Sequence, residues 1–182
     1  MSPEVLLPDA AATRAWGRRL SAVLRAGDLV VLTGGLGAGK TTLTQGIADG
    51  LSVRGPVTSP TFVLSRVHPS LVGGPALVHA DAYRLTAVAA PGGSGAERTP
   101  DGSALDGAAL DAAALDALDL DATLEDSVTV VEWGRALVRG LANDYLEVTL
   151  SGDGARRATL LPHGERWSCP VAALQLDALT TR

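Results

Sequence analysis

The sequence predicts an α/β fold, and three stretches carry that expectation. "DLVVLTG" is a short apolar, β-branched run that ends in glycine and leads into "KTTLTQGIADGLSV", where Leu43, Ile47 and Leu51 fall at helical spacing. "SVTVVEW", from Ser127 to Trp133, is a continuous apolar run of the kind that a strand buried on both faces shows. "YLEVTL" and "RRATLLP", joined by "SGDGA", alternate well enough to predict a C-terminal β-hairpin.

The remaining elements follow in chain order. Asp9 is placed to cap a helix running to about Ala26, with Ala15, Leu20, Val23 and Leu24 inward, Arg14, Arg18, Arg19 and Arg25 outward, and Gly27 as its stop. "TFVLSRV" and "PALVHAD" read as two strands separated by the turn region "HPSLVGGP". A helix over "GRALVRGLA" is expected after "SVTVVEW". The C-terminal "PVAALQLDALTTR" leaves a short helix and a frayed tail both open. Residues 87–114 break the pattern, being nearly all Ala, Gly, Asp, Ser and Pro, and read as a low-complexity, flexible insertion.

Composition bounds the function. A chain of 182 residues with 46% hydrophobic residues suits one globular domain over residues 1–182. A formal charge of −5 offers no broad positive field for phosphodiester backbones, which argues against tight direct binding of DNA or RNA. Cys169 is the only cysteine, so neither an intrachain disulfide nor a cysteine zinc cluster is available. No basic start with an apolar run and no stretch of about twenty apolar residues is present, so a soluble cytoplasmic protein without membrane association is expected.

Lys40 is the only lysine among fifteen basic side chains, the others all being arginine. It belongs to "GGLGAGKT", where Gly34, Gly39, Lys40 and Thr41 match G-x-x-x-x-G-K-[ST] between an apolar strand and a helix. Glycines at Gly35, Gly37 and Gly39 let a backbone wrap around phosphate oxygens. An ammonium on a flexible stem can follow a moving γ-phosphoryl group, whereas a guanidinium fork demands fixed geometry. Thr41 supplies a hydroxyl suited to Mg²⁺.

A dinucleotide fingerprint fails locally, because Lys40 stands where G-x-G-x-x-G needs its last glycine. A guanine-reading N-K-x-D is impossible without a second lysine, which leaves ATP as the expected nucleotide. Two acidic residues end apolar strand runs, Asp81 after "ALVHA" and Glu132 after "VTVV". Glu132 is the first choice for Mg²⁺, and Asp81 for positioning the attacking water or supporting the site indirectly. "TSPTF", Thr58 to Phe62, offers Ser59 and Thr61 hydroxyls beside a restraining Pro60. His68 and His79 lack a ligand-spaced partner and read as structural or solvent-facing.

With these pieces in order, the chain resembles the TsaE (YjeE) family, the small ATPase subunit for threonylcarbamoyladenosine modification of tRNA. "GGLGAGKTTL", "SPTF", "HADAYRL" and "VEW" are similar to that family's motifs and stand in its order. The resemblance implies a P-loop α/β fold with a mixed, mostly parallel sheet flanked by helices. It also implies nucleotide binding at Gly35 to Thr42, Mg²⁺ at Thr41 and Glu132, and an essential Asp81. Thr61 becomes a γ-phosphate sensing or partner-facing position, and Trp133 lies near the nucleotide. The implied partners are a TsaD-type transferase and a TsaB-type protein, with tRNA reached through them and ATP hydrolysis resetting the complex. Gly35 departs from the acidic residue many members carry, and the insertion at 87–114 is absent from the compact family pattern. Two other readings share this front end: a small-molecule kinase, against which the scarcity of basic residues from Thr86 to Asp126 argues, and an assembly switch responding to ATP occupancy.

Overall fold

The computed structural model describes residues 4–60, 64–83, 124–135, 138 and 142–180. The insertion at 87–114, Thr61 and most of the helix expected over "GRALVRGLA" lie outside the described residues. Within them the elements run β1 (Glu4–Leu7), α1 (Ala10–Ser21), β2 (Leu29–Thr33), α2 (Lys40–Leu51), β3 (Ser65–His68), β4 (Ala76–Asp81) and β5 (Ser127–Glu132). The chain closes with β6 (Tyr145–Ser151), β7 (Arg156–His163), α3 (Glu165–Ser168) and α4 (Pro170–Thr180).

The described strands form one mixed sheet in the order β1-β7-β6-β2-β5-β4-β3. Its centre is parallel, with β2 paired to β5 and β6, and β4 to β5. Antiparallel strands close both sides: β7 and β1 beyond β6, β3 beyond β4. Every residue of β5 is buried, as its unbroken apolar run requires of a strand covered on both faces.

Alternation along the strands sorts the core into two layers. On one face Val30, Leu32, Val128, Val130, Leu146 and Val148 pack with Trp16, Leu20, Leu43 and Ile47 from α1 and α2. On the other, Leu29, Val31, Val78, Ala80 and Val131 form a smaller cluster with Val138. Registered neighbours share a face, and His79 pairs with Val130 while Asp81 pairs with Glu132. These three polar residues therefore continue the apolar rows of the α2 side, at the C-terminal ends of the parallel strands.

Helix α2 is held close to α1 by glycine. A Cβ on Gly17 would stand 2.6 Å from Leu43 O, and one on Gly46 would stand 2.2 Å from Arg14 O. The backbones approach too closely for any side chain at that crossing. Arg14 and Arg18 bridge to Asp49 at its exposed edge.

Two expectations need adjustment, and one left open is decided. Helix α1 ends at Ser21, not near Ala26, because Ala22, Val23 and Leu24 turn by i→i−3 bonds that bring Leu24 into the core. The strand expected over "TFVLSRV" begins, within the described residues, only at Ser65. The C-terminal segment is a helix, with Ala172, Leu176 and Leu179 buried and the Trp16 indole N–H donating to Leu179 O at 3.1 Å. β1 was not anticipated; four residues give too little alternation to read.

Candidate functional site

The loop between β2 and α2 turns on glycines with positive φ: Gly34 at 136°, Gly37 at 75° and Gly39 at 100°. Left-handed backbone at these angles is open to glycine at little cost and strained for other residues. Gly34 is doubly constrained, since a Cβ there would stand 2.3 Å from Leu150 O of β6. Gly39 caps α2 without a side-chain acceptor, so the first turn keeps backbone N–H groups free of a local cap.

A cleft of about 400 Å³ opens above this loop, lined by Leu36, Gly37, Gly39, Lys40, Thr41, Thr42, Ser59, Asp81, Tyr83, Glu132 and Trp133. It thus gathers residues from β2–α2, β4 and β5 at the end of the parallel strands, where open α/β sheets present ligand crevices. Among the nucleotide-site residues expected from sequence, Gly35 and Ala38 stand in the loop without lining the cleft, and Ala38 is buried.

Lys40 is only 5% exposed. Its ammonium donates to the carbonyls of Gly34 and Gly35, each at 2.9 Å, and lies 3.9 Å from the centre of the Trp133 ring. Burial pulls its pKa below the ordinary lysine range, opposed by the nearby charges of Glu132 and Asp81.

Thr41 donates its hydroxyl to Glu132 Oε1 at 2.9 Å. The same oxygen meets His79 Nε2 at 2.8 Å. His79 is fully buried, which decides between the structural and solvent-facing readings of its ring in favour of the structural one, and it touches the acidic centre of the cleft. Asp81, also buried, accepts from the Tyr83 backbone N–H at 3.0 Å and from the Ser59 hydroxyl at 3.3 Å. The "SPTF" segment therefore reaches the site through Ser59, while Thr61 lies outside the described residues.

Trp133 occupies left-handed backbone at φ 60°, an uncommon conformation for a bulky residue. Its N–H donates to Leu32 O at 3.0 Å, so β2 fixes the turn by which β5 throws the indole back over the loop. Tyr83 packs against it with ring centroids 5.4 Å apart. Arg135, two residues on, pairs with the buried Glu147 of β6 at 3.1 Å.

Sequence reasoning missed Arg156. From the first position of β7 its guanidinium donates to Ala38 O at 3.1 Å and Gly37 O at 3.0 Å, and also to Gly154 O. Nothing in "RRATLLP" marks its first residue as a partner of a loop far upstream.

Thr41 and Glu132 present a hydroxyl and a carboxylate, hard oxygen donors that fit a hard divalent cation. The glycine turns, the open α2 terminus and the ammonium fit a polyphosphate. Among the described residues no group of three or more His, Cys, Asp and Glu is disposed to hold a metal by protein ligands alone.

Comparison with known proteins gives likenesses in sequence and in fold. The model described as "Threonylcarbamoyl adenosine biosynthesis protein TsaE" matches residues 7–159. A Streptomyces coelicolor protein named tRNA threonylcarbamoyladenosine biosynthesis protein TsaE is 50% identical over 161 residues, covering 85% of this chain and 93% of that protein. A Mycobacterium tuberculosis protein of the same name is 47% identical over 145 residues, 79% of this chain and 76% of its own. The crystal structure of Bacillus subtilis YdiB superposes with a TM-score of 0.67 at 23% identity, over 98% of this chain and 95% of that one, a likeness of fold.

Proposed function

The chain belongs to the TsaE family of threonylcarbamoyl adenosine biosynthesis proteins, and from that premise we propose that it binds and hydrolyses ATP as one P-loop domain serving threonylcarbamoyladenosine modification of tRNA. The C-terminal hairpin of β6 and β7 is part of that domain. The hydrolysis resets or regulates a TsaD-type transferase acting with a TsaB-type protein, and tRNA is met through those partners. The observation that carries this reading is the convergence of Lys40, Thr41 and Glu132 beside a glycine loop, inside a cleft that Asp81 also lines.

Each residue has a role its surroundings support. The loop from Gly35 to Thr42 cradles phosphate oxygens with backbone N–H groups, and Lys40 neutralises the β- and γ-phosphates at close range in a site shielded from water. Thr41 and Glu132 hold Mg²⁺, which supplies charge neutralisation across the phosphate oxygens when bound. Asp81 orients the attacking water with its carboxylate, which is itself fixed by Ser59 and the Tyr83 N–H. Trp133 covers the Lys40 side of the nucleotide.

The test is ATP hydrolysis by the purified chain with and without transferase and TsaB-type partners, together with tRNA modification in cells carrying Lys40→Ala. Mg²⁺-dependent hydrolysis that partners stimulate, and modification lost with Lys40→Ala, is the expected result. Phosphate transfer to a metabolite in place of hydrolysis overturns it in favour of a kinase. ATP binding without turnover, alone or with partners, overturns it in favour of an occupancy switch.

A further inference from the structure

We infer that Arg156 is a positioning residue of the phosphate loop, so that the C-terminal strand pair forms the back wall of the nucleotide site. This rests on reading the loop as a nucleotide cradle. Arg156 starts β7, and its guanidinium is aimed at two successive loop carbonyls, those of Gly37 and Ala38. A third bond to Gly154 O ties the fork to the turn that precedes its own strand.

Peptide geometry converts those bonds into a function. In a planar trans peptide the C=O and the following N–H point in opposite directions. Anchoring Ala38 O to Arg156 therefore turns the Gly39 N–H away from β7, on the side where Gly39 lines the cleft. Anchoring Gly37 O likewise fixes the Ala38 N–H, which closes a turn by donating to Gly35 O at 3.2 Å.

A second contact seats the loop on the same wall. Gly34 lies against Leu150 O so closely that no Cβ fits between them. The loop is thus fixed at its first residue by β6 and at its apex by β7. β6 pairs with β7 along its whole length, from Tyr145 with His163 to Ser151 with Arg157, the residue next to Arg156.

Arginine is required by the geometry. Its planar fork spans adjacent acceptors with one group, whereas a lysine ammonium is a single compact charge that cannot reproduce the same bidentate set. The guanidinium also places a fixed positive charge behind a loop that is to receive anions.

The test compares R156A and R156K with R157A, since Arg157 instead pairs with Glu4 at the exposed edge. Affinity for Mg²⁺·ATP is measured by calorimetry, kcat and KM by ATPase assay, and loop-amide protection by hydrogen exchange on the nucleotide-free protein. The expected result is binding weakened by roughly tenfold or more in R156A, from lost charge-assisted bonds. KM should rise with kcat nearly unchanged, R156K should rescue poorly, and R157A should match wild type. Amide protection across Gly37 to Thr41 should fall in both Arg156 variants. Unchanged affinity and unchanged loop protection in R156K, the variant that keeps charge and bulk, overturns the inference. Wild-type protein that fails to bind ATP refutes the nucleotide reading itself, and the exchange data still decide whether Arg156 orders the loop.

Discussion

The Thr41 hydroxyl donates to Glu132 Oε1 at 2.9 Å, joining the first turn of α2 to the last residue of β5. The bond places two hard oxygen donors side by side in the wall of the cleft. Glu132→Gln keeps an acceptor for Thr41 and nearly the same volume, so the fold should persist with a melting temperature close to wild type. The lost negative charge should weaken Mg²⁺-dependent hydrolysis by about tenfold or more. A magnesium titration of ATPase rate checks this, and an unaltered titration curve would refute the metal role.

His79 supports that carboxylate from behind, with Nε2 at 2.8 Å from the same oxygen. His79→Leu removes the partner while filling the space, leaving Glu132 with Thr41 alone on Oε1. The expected cost is about 1–3 kcal/mol in stability, from a buried polar group left short of a partner. Metal affinity should fall roughly 10–100-fold, as is usual when the group orienting a ligand is lost. His79→Gln, whose amide retains an N–H donor, should recover part of both. Equal Mn²⁺ binding in wild type and His79→Leu would show that the ring does nothing for the carboxylate.

The parts of this site that were legible in the sequence are those written locally. Gly34, Gly39, Lys40 and Thr41 are spaced by the loop itself, and Asp81 and Glu132 each end an apolar strand run. Parallel pairing then brings the two strand ends into register, Asp81 beside Glu132, which no local pattern encodes. Arg156 was illegible for the same reason: it lies 118 residues from Ala38, and strand patterning says nothing of a side chain that bonds another element's carbonyls. The C-terminal helix stayed open beside a frayed tail because its apolar residues are not confined to one stripe. Ala172, Leu176 and Leu179 turn inward, while Val171 and Leu174 remain exposed.

The α1–α2 crossing was equally silent, and it carries a prediction of its own. Gly46 sits where a Cβ would meet the Arg14 carbonyl at 2.2 Å, a contact that only movement of a backbone could relieve. Gly46→Val should destabilise the fold by about 3 kcal/mol, the upper end of ordinary overpacking. Because α2 begins at Lys40 and carries Thr41, the same change should weaken nucleotide binding without touching the cleft. Gly154→Ala, at a position with nothing within 4 Å of the added Cβ, serves as the control and should be near neutral. Calorimetric melting of both variants checks the pair. Equal stability would mean that the helices separate at no cost.

His68 gives the fold a dependence on pH at a distance from this chemistry. The ring is buried at the end of β3, with Nδ1 3.1 Å from Arg54 O and no partner for Nε2 among the described residues. Burial lowers its pKa below the ordinary histidine value of about 6.5, the bond to Arg54 O opposes that shift, and the neighbouring His79 and Arg66 add to it. The unfolded chain therefore binds the proton more readily than the native one, and stability rises with pH wherever that holds. The contribution is fully present above pH 6.5 and is lost as pH falls from there through the depressed native value. His68→Gln should remove this acid-side slope. Denaturant midpoints at pH 7.5, 6.5 and 5.5 compare the two proteins, and their difference cancels groups that titrate alike in both. The wild type should lose stability relative to the variant as pH falls; parallel curves would mean that His68 is protonated in the fold as easily as in the open chain.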